Sequence, residues 1–148
     1  HLLSLPDVCA GVAVDGDGGL AHLLAHSDIL VCALPLTDGT RDLLDRRTLS
    51  LLPQGAYLIN VGRGEQVVDA DLLALLDSGH LAGAALDVLR EEPPRPGDPL
   101  WNHAKVFGTP HIAAQASPET IARQCLDNLH RVRTGQPVLN RVDPAQGY

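Results

Sequence analysis

The sequence predicts an α/β fold, a parallel sheet with flanking helices, on three observations. Strand-like apolar runs alternate with segments of helical period along most of the chain. The run Ile29-Leu30-Val31-Cys32-Ala33-Leu34 stays apolar until Pro35 stops it, the pattern of a strand covered on both faces. The strand–helix–strand unit recurs with short links, as parallel pairing through right-handed crossovers demands.

Taken in order, Val12-Ala13-Val14 is a short strand candidate. Residues 19–26 carry Leu20, Leu23 and Leu24 at helical spacing and end at Ser27-Asp28. The strand 29–34 follows, then turn residues 37–40. Asp45 caps a helix whose Leu49 and Leu52 face inward, and Pro53-Gln54-Gly55 closes it. Residues 56–60 read as a strand. Asp69 caps a helix with Leu72, Leu73, Leu75 and Leu76 on one side, and Gly79 supplies its left-handed stop. Residues 83–87 form the next strand, and a Pro- and acid-rich loop runs from 88 to about 103. Residues 105–109 make a last strand halted by Pro110. Ser117-Pro118 opens the longest helix, with Ser as cap and Pro at the first helical position. Its stripe is Ile121, Cys125, Leu129 and Val132, Gly135 terminates it, and residues 136–148 form an extended polar tail.

The 148 residues amount to about one average domain, and 45% hydrophobic with 20% charged residues suits a globular core. Eighteen acidic against eleven basic residues give −7. That balance repels phosphate backbones and anionic lipid, so no nucleic-acid or membrane partner is expected. No apolar stretch approaches the roughly 20 residues that span a bilayer, and the start lacks the basic flank of a signal peptide. Cys9, Cys32 and Cys125 are odd in number and widely spaced. They predict a reduced, cytoplasmic protein with no disulfide frame and no thiolate zinc site.

In parallel sheets ligands sit at the carboxyl ends of the strands, which singles out the loops after Leu34, Asn60, Asp87 and Thr109. In Val61-Gly62-Arg63-Gly64 two glycines let backbone approach a ligand while a guanidinium projects. An Arg fork matches a carboxylate with two parallel hydrogen bonds; a solvated Arg in a flexible turn is the competing reading. Asp87 ends an apolar strand, where burial is costly unless it accepts hydrogen bonds. The pair Glu91-Glu92 reads either as solvated surface or as acid–base machinery. A glycosidase is disfavoured, because sequence neighbours point apart whereas glycosidase carboxyls face one another across the substrate. His111, between Pro110 and small apolar residues, is a fixed and partly dry acid–base candidate beside an Arg loop and a Glu loop.

Two further patterns are set aside. His22 and His26 share a helical face, but position 23 is Leu rather than the Glu of a zinc protease and no third ligand is evident, so no metal site is expected. Gly16-Asp17-Gly18-Gly19-Leu20-Ala21 has the form G-x-G-x-x-A, but Asp15 and Asp17 would oppose a pyrophosphate. It reads as a surface loop.

Four motifs in order and spacing, Leu34-Pro35-Leu36-Thr37, Asn60-Val61-Gly62-Arg63-Gly64, Asp87-Val88 with Glu92-Pro93, and Thr109-Pro110-His111-Ile112-Ala113, resemble the D-isomer-specific 2-hydroxyacid dehydrogenases over nearly the whole chain. Asp98-Pro99-Leu100-Trp101 and the ending near Tyr148 most resemble the glyoxylate/hydroxypyruvate reductase A branch. The resemblance implies that His111 donates a proton to the substrate carbonyl, that Glu92 orients the imidazole and favours its charged form, and that Arg63 grips the substrate carboxylate. It implies that Asp87 accepts from a nicotinamide carboxamide, and that Leu34, Pro35, Leu36, Thr40, Val61, Gly62 and Ala113, together with Arg63 and His111, line the cofactor. Trp101 either reaches a pocket of a partner subunit or anchors its own loop.

The resemblance also implies what to expect of the whole. The fold is Rossmann-like but incomplete, lacking the first βαβ unit and its Gly-rich fingerprint. Residues 1–112 correspond to the C-terminal portion of the dinucleotide-binding domain, and 113–148 to a crossover helix and tail returning to a mostly absent substrate domain. The 148 residues are thus expected to be a piece of a longer enzyme, with negligible reductase activity alone and an unpaired strand edge at 29–34. The cofactor is NADP or NAD, with NADPH favoured by the branch resemblance, the substrate a small 2-keto or 2-hydroxy acid, and the assembly a homodimer. Other implied readings are a dehydrogenase for another D-2-hydroxy acid, such as phosphoglycerate, and a non-catalytic dinucleotide-binding corepressor module.

Overall fold

The computed structural model describes residues 16–143; the strand candidate at 12–14 and Cys9 lie outside them. The elements are α1 (Gly16–Ala25), β1 (Ile29–Cys32), α2 (Arg46–Leu49), β2 (Ala56–Asn60), a 3₁₀ turn (Gly64–Gln66), α3 (Asp69–Asp77), β3 (Leu81–Leu86), β4 (Val106–Gly108) and α4 (Pro118–Arg133). All three strand pairs are parallel, in the order β1-β2-β3-β4. This is the α/β architecture the alternating pattern predicts, and β1 is an edge strand among the described residues.

One face of the sheet carries the core. Leu30 and Cys32 of β1, Ala56 and Leu58 of β2 and Leu81, Ala84 and Leu86 of β3 bury against Leu24 of α1, Leu49 of α2 and Leu72, Leu75 and Leu76 of α3. The helical leucines recur three and four residues apart, which stacks them on one stripe. Asp45 caps α2 as predicted: its carboxylate accepts the Thr48 N–H at 2.8 Å, and the Asp45 N–H donates to the Thr48 hydroxyl at 3.0 Å.

The opposite face differs from the sequence expectation. Ile29 and Val31 are 58% and 57% exposed, so β1 alternates rather than burying both faces. Tyr57 of β2 and Phe107 of β4 are exposed as well. The helices among the described residues cover only the other side, and a continuous apolar run cannot report which cover is present. The last helix shows the same divergence: α4 has the predicted Ser117 cap and Pro118 start, yet no residue of it is buried, and Ile121, Leu129 and Val132 face solvent.

Boundaries shift elsewhere too: β3 is Leu81–Leu86 rather than 83–87, β4 is Val106–Gly108 rather than 105–109, and α2 ends at Leu49, before Leu52. Gly16–Gly18, read as a surface loop, begin α1. Asp69 is the first residue of α3 rather than its cap, which is Val68; Asp69 and Asp71 sit in the first turn, where the helix dipole favours negative charge. β1 ends at Cys32, leaving Ala33 and Leu34 free of the ladder and exposed.

The register positions the functional rim. Cys32 pairs with Asn60, Asn60 with Leu86, and Leu86 with Gly108. The four strands therefore finish in one row, and the loops that follow leave the sheet side by side.

Candidate active site

The loop after β2 is shaped by two buried amides. Asn60 accepts the Gly62 N–H at 3.0 Å and donates to the Arg63 carbonyl at 3.0 Å, while Gln66 Oε1 accepts the Arg63 N–H at 2.9 Å. Both amide residues are fully buried. A Cβ at Gly62 would run into Gln66 Oε1 and the Leu34 carbonyl, and one at Gly64 would run into the Leu89 backbone. Glycine is needed at both places for close approach. Arg63 itself is exposed, and its Nη1 donates to the Gly62 carbonyl at 2.7 Å. That uses one of five guanidinium N–H groups and leaves a fork available to a ligand.

Leu34, Pro35, Leu36, Val61, Gly62 and Arg63 line one open groove of about 640 Å³. Thr40 and Ala113, predicted beside them, do not line it. The Thr40 hydroxyl is spent on its own loop, donating to the Pro35 carbonyl at 2.7 Å and accepting the Thr37 N–H at 2.8 Å. Ala113 acts through its backbone, as follows.

Asp87 is buried immediately after β3, and its carboxylate organises the loop after β4. Oδ1 accepts the Thr109 hydroxyl at 2.6 Å and the Ile112 N–H at 2.8 Å; Oδ2 accepts the Ala113 N–H at 2.9 Å. The Thr109 hydroxyl, with those two N–H groups and the His111 charge, outweighs desolvation and holds the Asp87 carboxyl below its ordinary range. About four lone-pair sites serve a carboxylate, so Oδ2 keeps one for an outside donor. The loop so held carries His111 in the left-handed region, at φ 53°, a conformation sparsely used by non-glycine residues and maintained by surrounding bonds.

His111 Nδ1 and Glu92 Oε2 lie 2.9 Å apart, and Glu92 Oε1 accepts the Leu89 N–H at 2.8 Å. Desolvation opposes the Glu92 charge, but the Leu89 N–H and the His111 ring overcome it, and the carboxyl is held below the usual range. A carboxylate only accepts, so Nδ1 carries the hydrogen and Nε2 is the atom free to exchange a proton. The pair is exposed rather than partly dry as the flanking residues predict, with the His111 side chain 47% accessible.

Asp87, Glu92 and His111 line a second cavity of about 330 Å³ together with Trp101. The Trp101 ring lies against Gly108 of β4, occupying the space a Cβ would fill. The structure thus brings His111, Glu92 and Asp87 into one cluster. Arg63 stands on the adjacent loop of the same rim, lining the groove and making no bond to the pair. Three contributors escape sequence reasoning as site residues: Thr109, Gln66 and the Leu89 N–H. Nothing in their spacing separates them from ordinary loop residues.

The family profile described as "D-isomer specific 2-hydroxyacid dehydrogenase, NAD binding domain" matches residues 11–113. Among solved structures, a D-isomer specific 2-hydroxyacid dehydrogenase from Xanthobacter autotrophicus Py2, in complex with NADPH and MES, is 49% identical with a TM-score of 0.86, covering 90% of this chain and 55% of that one. The NADPH-dependent glyoxylate/hydroxypyruvate reductase from Sinorhizobium meliloti, in complex with NADP and sulfate, is 35% identical with a TM-score of 0.87, covering 96% and 46%. A probable 2-hydroxyacid dehydrogenase from Rhizobium etli CFN 42, with NADP, HEPES and L(+)-tartaric acid, is 34% identical with a TM-score of 0.85, again covering 96% and 46%. The chain therefore spans about half the length of these solved relatives. Among the described residues, no helix is long and apolar enough to cross a membrane. The rim, its parallel sheet and these matches lead to one conclusion: the chain belongs to the D-isomer specific 2-hydroxyacid dehydrogenase family, as part of its Rossmann-like NAD-binding domain.

Proposed function

We propose that this chain supplies the acid–base pair and part of the dinucleotide site of a reductase that converts small 2-keto acids, of the glyoxylate or hydroxypyruvate type, to D-2-hydroxy acids. The observation that carries the reading is the His111–Glu92 contact at 2.9 Å, on a loop clamped by Asp87. An imidazole with Nδ1 committed to a carboxylate and Nε2 open is built to give and retrieve one proton.

The residues present fit the nicotinamide end of a dinucleotide. The open lone pair of Asp87 Oδ2 suits a carboxamide N–H, and the Leu34–Leu36 and Val61–Arg63 backbone would border the ribose side. When bound, a reduced nicotinamide supplies the hydride. His111 Nε2 then delivers a proton to the substrate's carbonyl oxygen, Glu92 stabilises the imidazolium form that precedes delivery, and the Arg63 fork holds the substrate carboxylate. NADPH is the favoured cofactor, since the two relatives from Xanthobacter and Sinorhizobium are described with NADPH or as NADPH-dependent. The same proposal makes residues 113–148 the return to a substrate domain, supported by the wholly unburied α4, and the assembled enzyme a cytoplasmic homodimer.

The test is His111→Asn in the full-length polypeptide that carries this chain. Reduction of glyoxylate and hydroxypyruvate with NADPH should fall by about 10²–10⁴-fold while dinucleotide affinity measured by calorimetry persists. An unchanged rate removes the mechanism. Light scattering on the same polypeptide tests the dimer.

A further inference from the structure

Resting on that reading of the site, we infer that Gln66 is a positioning residue, one that locks the Arg63 loop to the Leu34–Pro35 loop so that the carboxylate-gripping and cofactor-facing surfaces keep one spacing. Gln66 is fully buried, and both ends of its amide are used. Oε1 accepts the Arg63 N–H at 2.9 Å and the Cys32 thiol at 3.3 Å; Nε2 donates to the Leu34 carbonyl at 2.9 Å and the Pro35 carbonyl at 3.2 Å. The amide can sit only one way round, because one end meets N–H and S–H donors and the other meets two carbonyls.

Gln66 lies more than thirty residues along the chain from the Leu34 and Pro35 carbonyls it holds. Beyond Cys32 the main chain has left the sheet ladder, so the Leu34 carbonyl takes its hydrogen bond from Gln66. On the other side, Asn60 holds the Gly62 N–H and the Arg63 carbonyl but makes no bond to the β1 loop. Among the described residues, Gln66 is the side chain that joins the two. Gly62 keeps the space open, since a Cβ there would push into both Gln66 Oε1 and the Leu34 carbonyl. A buried amide without its partners would cost more than an apolar side chain of the same size, so full satisfaction on both loops is what makes it tolerable at this place.

Gln66→Met, of similar length, removes both arms; Gln66→Glu keeps an acceptor for the Arg63 N–H and loses the two donors. Both are made in the full-length polypeptide, alone and combined with Arg63→Ala. Steady-state reduction of glyoxylate with NADPH is measured alongside hydrogen exchange of the Arg63 amide. Gln66→Met should raise KM for glyoxylate about tenfold or more, with a smaller change in kcat. It should add less than about twofold when Arg63 is already Ala. The Arg63 amide should exchange faster in Gln66→Met and stay protected in Gln66→Glu. Where Gln66→Met fails to fold by thermal melting, the Glu variant decides: protection of the Arg63 amide retained with a raised KM supports the lock, and a wild-type KM overturns it. An active wild type with unaltered KM in both variants, or additivity with Arg63→Ala, also overturns it. A wild type that reduces no 2-keto acid defeats the reading of the preceding subsection instead, and exchange alone then decides Gln66, faster in Gln66→Met for the lock and unchanged against it.

Discussion

Asp87 and His111 meet through the backbone: the His111 N–H donates to the Asp87 carbonyl at 2.9 Å, while the Asp87 carboxylate holds the N–H groups of Ile112 and Ala113. The acid after β3 thus fixes the conformation of the loop that presents the imidazole. Asp87→Asn would turn an amide NH₂ towards one of these donors and release the left-handed turn at His111. A displacement of the reacting group by about 1 Å costs on the order of a hundredfold, so kcat for keto-acid reduction should fall by that order, as steady-state kinetics will show.

The same contacts predict an acid limb of stability. The Asp87 and Glu92 carboxyls are both held below their ordinary values when folded, Asp87 first by the Thr109 hydroxyl, Glu92 by the Leu89 N–H and His111 acting against desolvation. Their stabilisation is complete above the unfolded values, about 3.9 and 4.3, and is lost as pH falls through the lower folded ones. Trp101, the single tryptophan, lines the same cavity. Its fluorescence should report a transition below about pH 4, which Asp87→Asn diminishes; a transition identical in that variant contradicts the linkage.

Glu92→Gln keeps the shape of the side chain but offers Nδ1 of His111 an amide in place of a carboxylate. The imidazole tautomer is no longer fixed and its charged form loses its counter-ion. Turnover should drop by about a hundredfold or more, with dinucleotide affinity within about threefold by calorimetry.

Asp45→Ala removes the carboxylate that accepts the Thr48 N–H in the α2 capping box and keeps the backbone N–H that donates to the Thr48 hydroxyl. Urea unfolding should show a loss of about 1 kcal/mol.

The two described cysteines should differ in reactivity. Cys32 is buried beneath Gln66, and burial pushes its thiol above the ordinary value; Cys125 is exposed on α4. Brief alkylation followed by peptide mapping should label Cys125 and spare Cys32 until the chain unfolds.

The strands, the leucine-striped helices and the rim loops are legible in the sequence because each rests on local periodicity or on turn chemistry confined to a few residues. The Asp45 cap and the Gly62-Arg63-Gly64 loop are of that kind. The exposure of Ile29 and Val31 is not, since an apolar run has the same composition whether one or two layers cover it. Gln66 is not either: its meaning comes from carbonyls of Leu34 and Pro35 more than thirty positions away, and a Gln after a Gly-Glu pair looks like any loop residue. Asp87 shows both limits at once, its cost of burial evident from sequence and its partners Thr109, Ile112 and Ala113 evident only from the fold.

The central claim is that one small keto acid is held by Arg63 and protonated by His111, although the two side chains line neighbouring depressions of the rim. A crystal structure of the full-length polypeptide with NADPH and oxamate, the unreactive amide analogue of a 2-keto acid, tests it most directly. The account predicts the oxamate carboxylate on the Arg63 fork and its carbonyl oxygen within hydrogen-bond reach of His111 Nε2. An analogue bound elsewhere, or held by Arg63 with His111 Nε2 turned away, would contradict it.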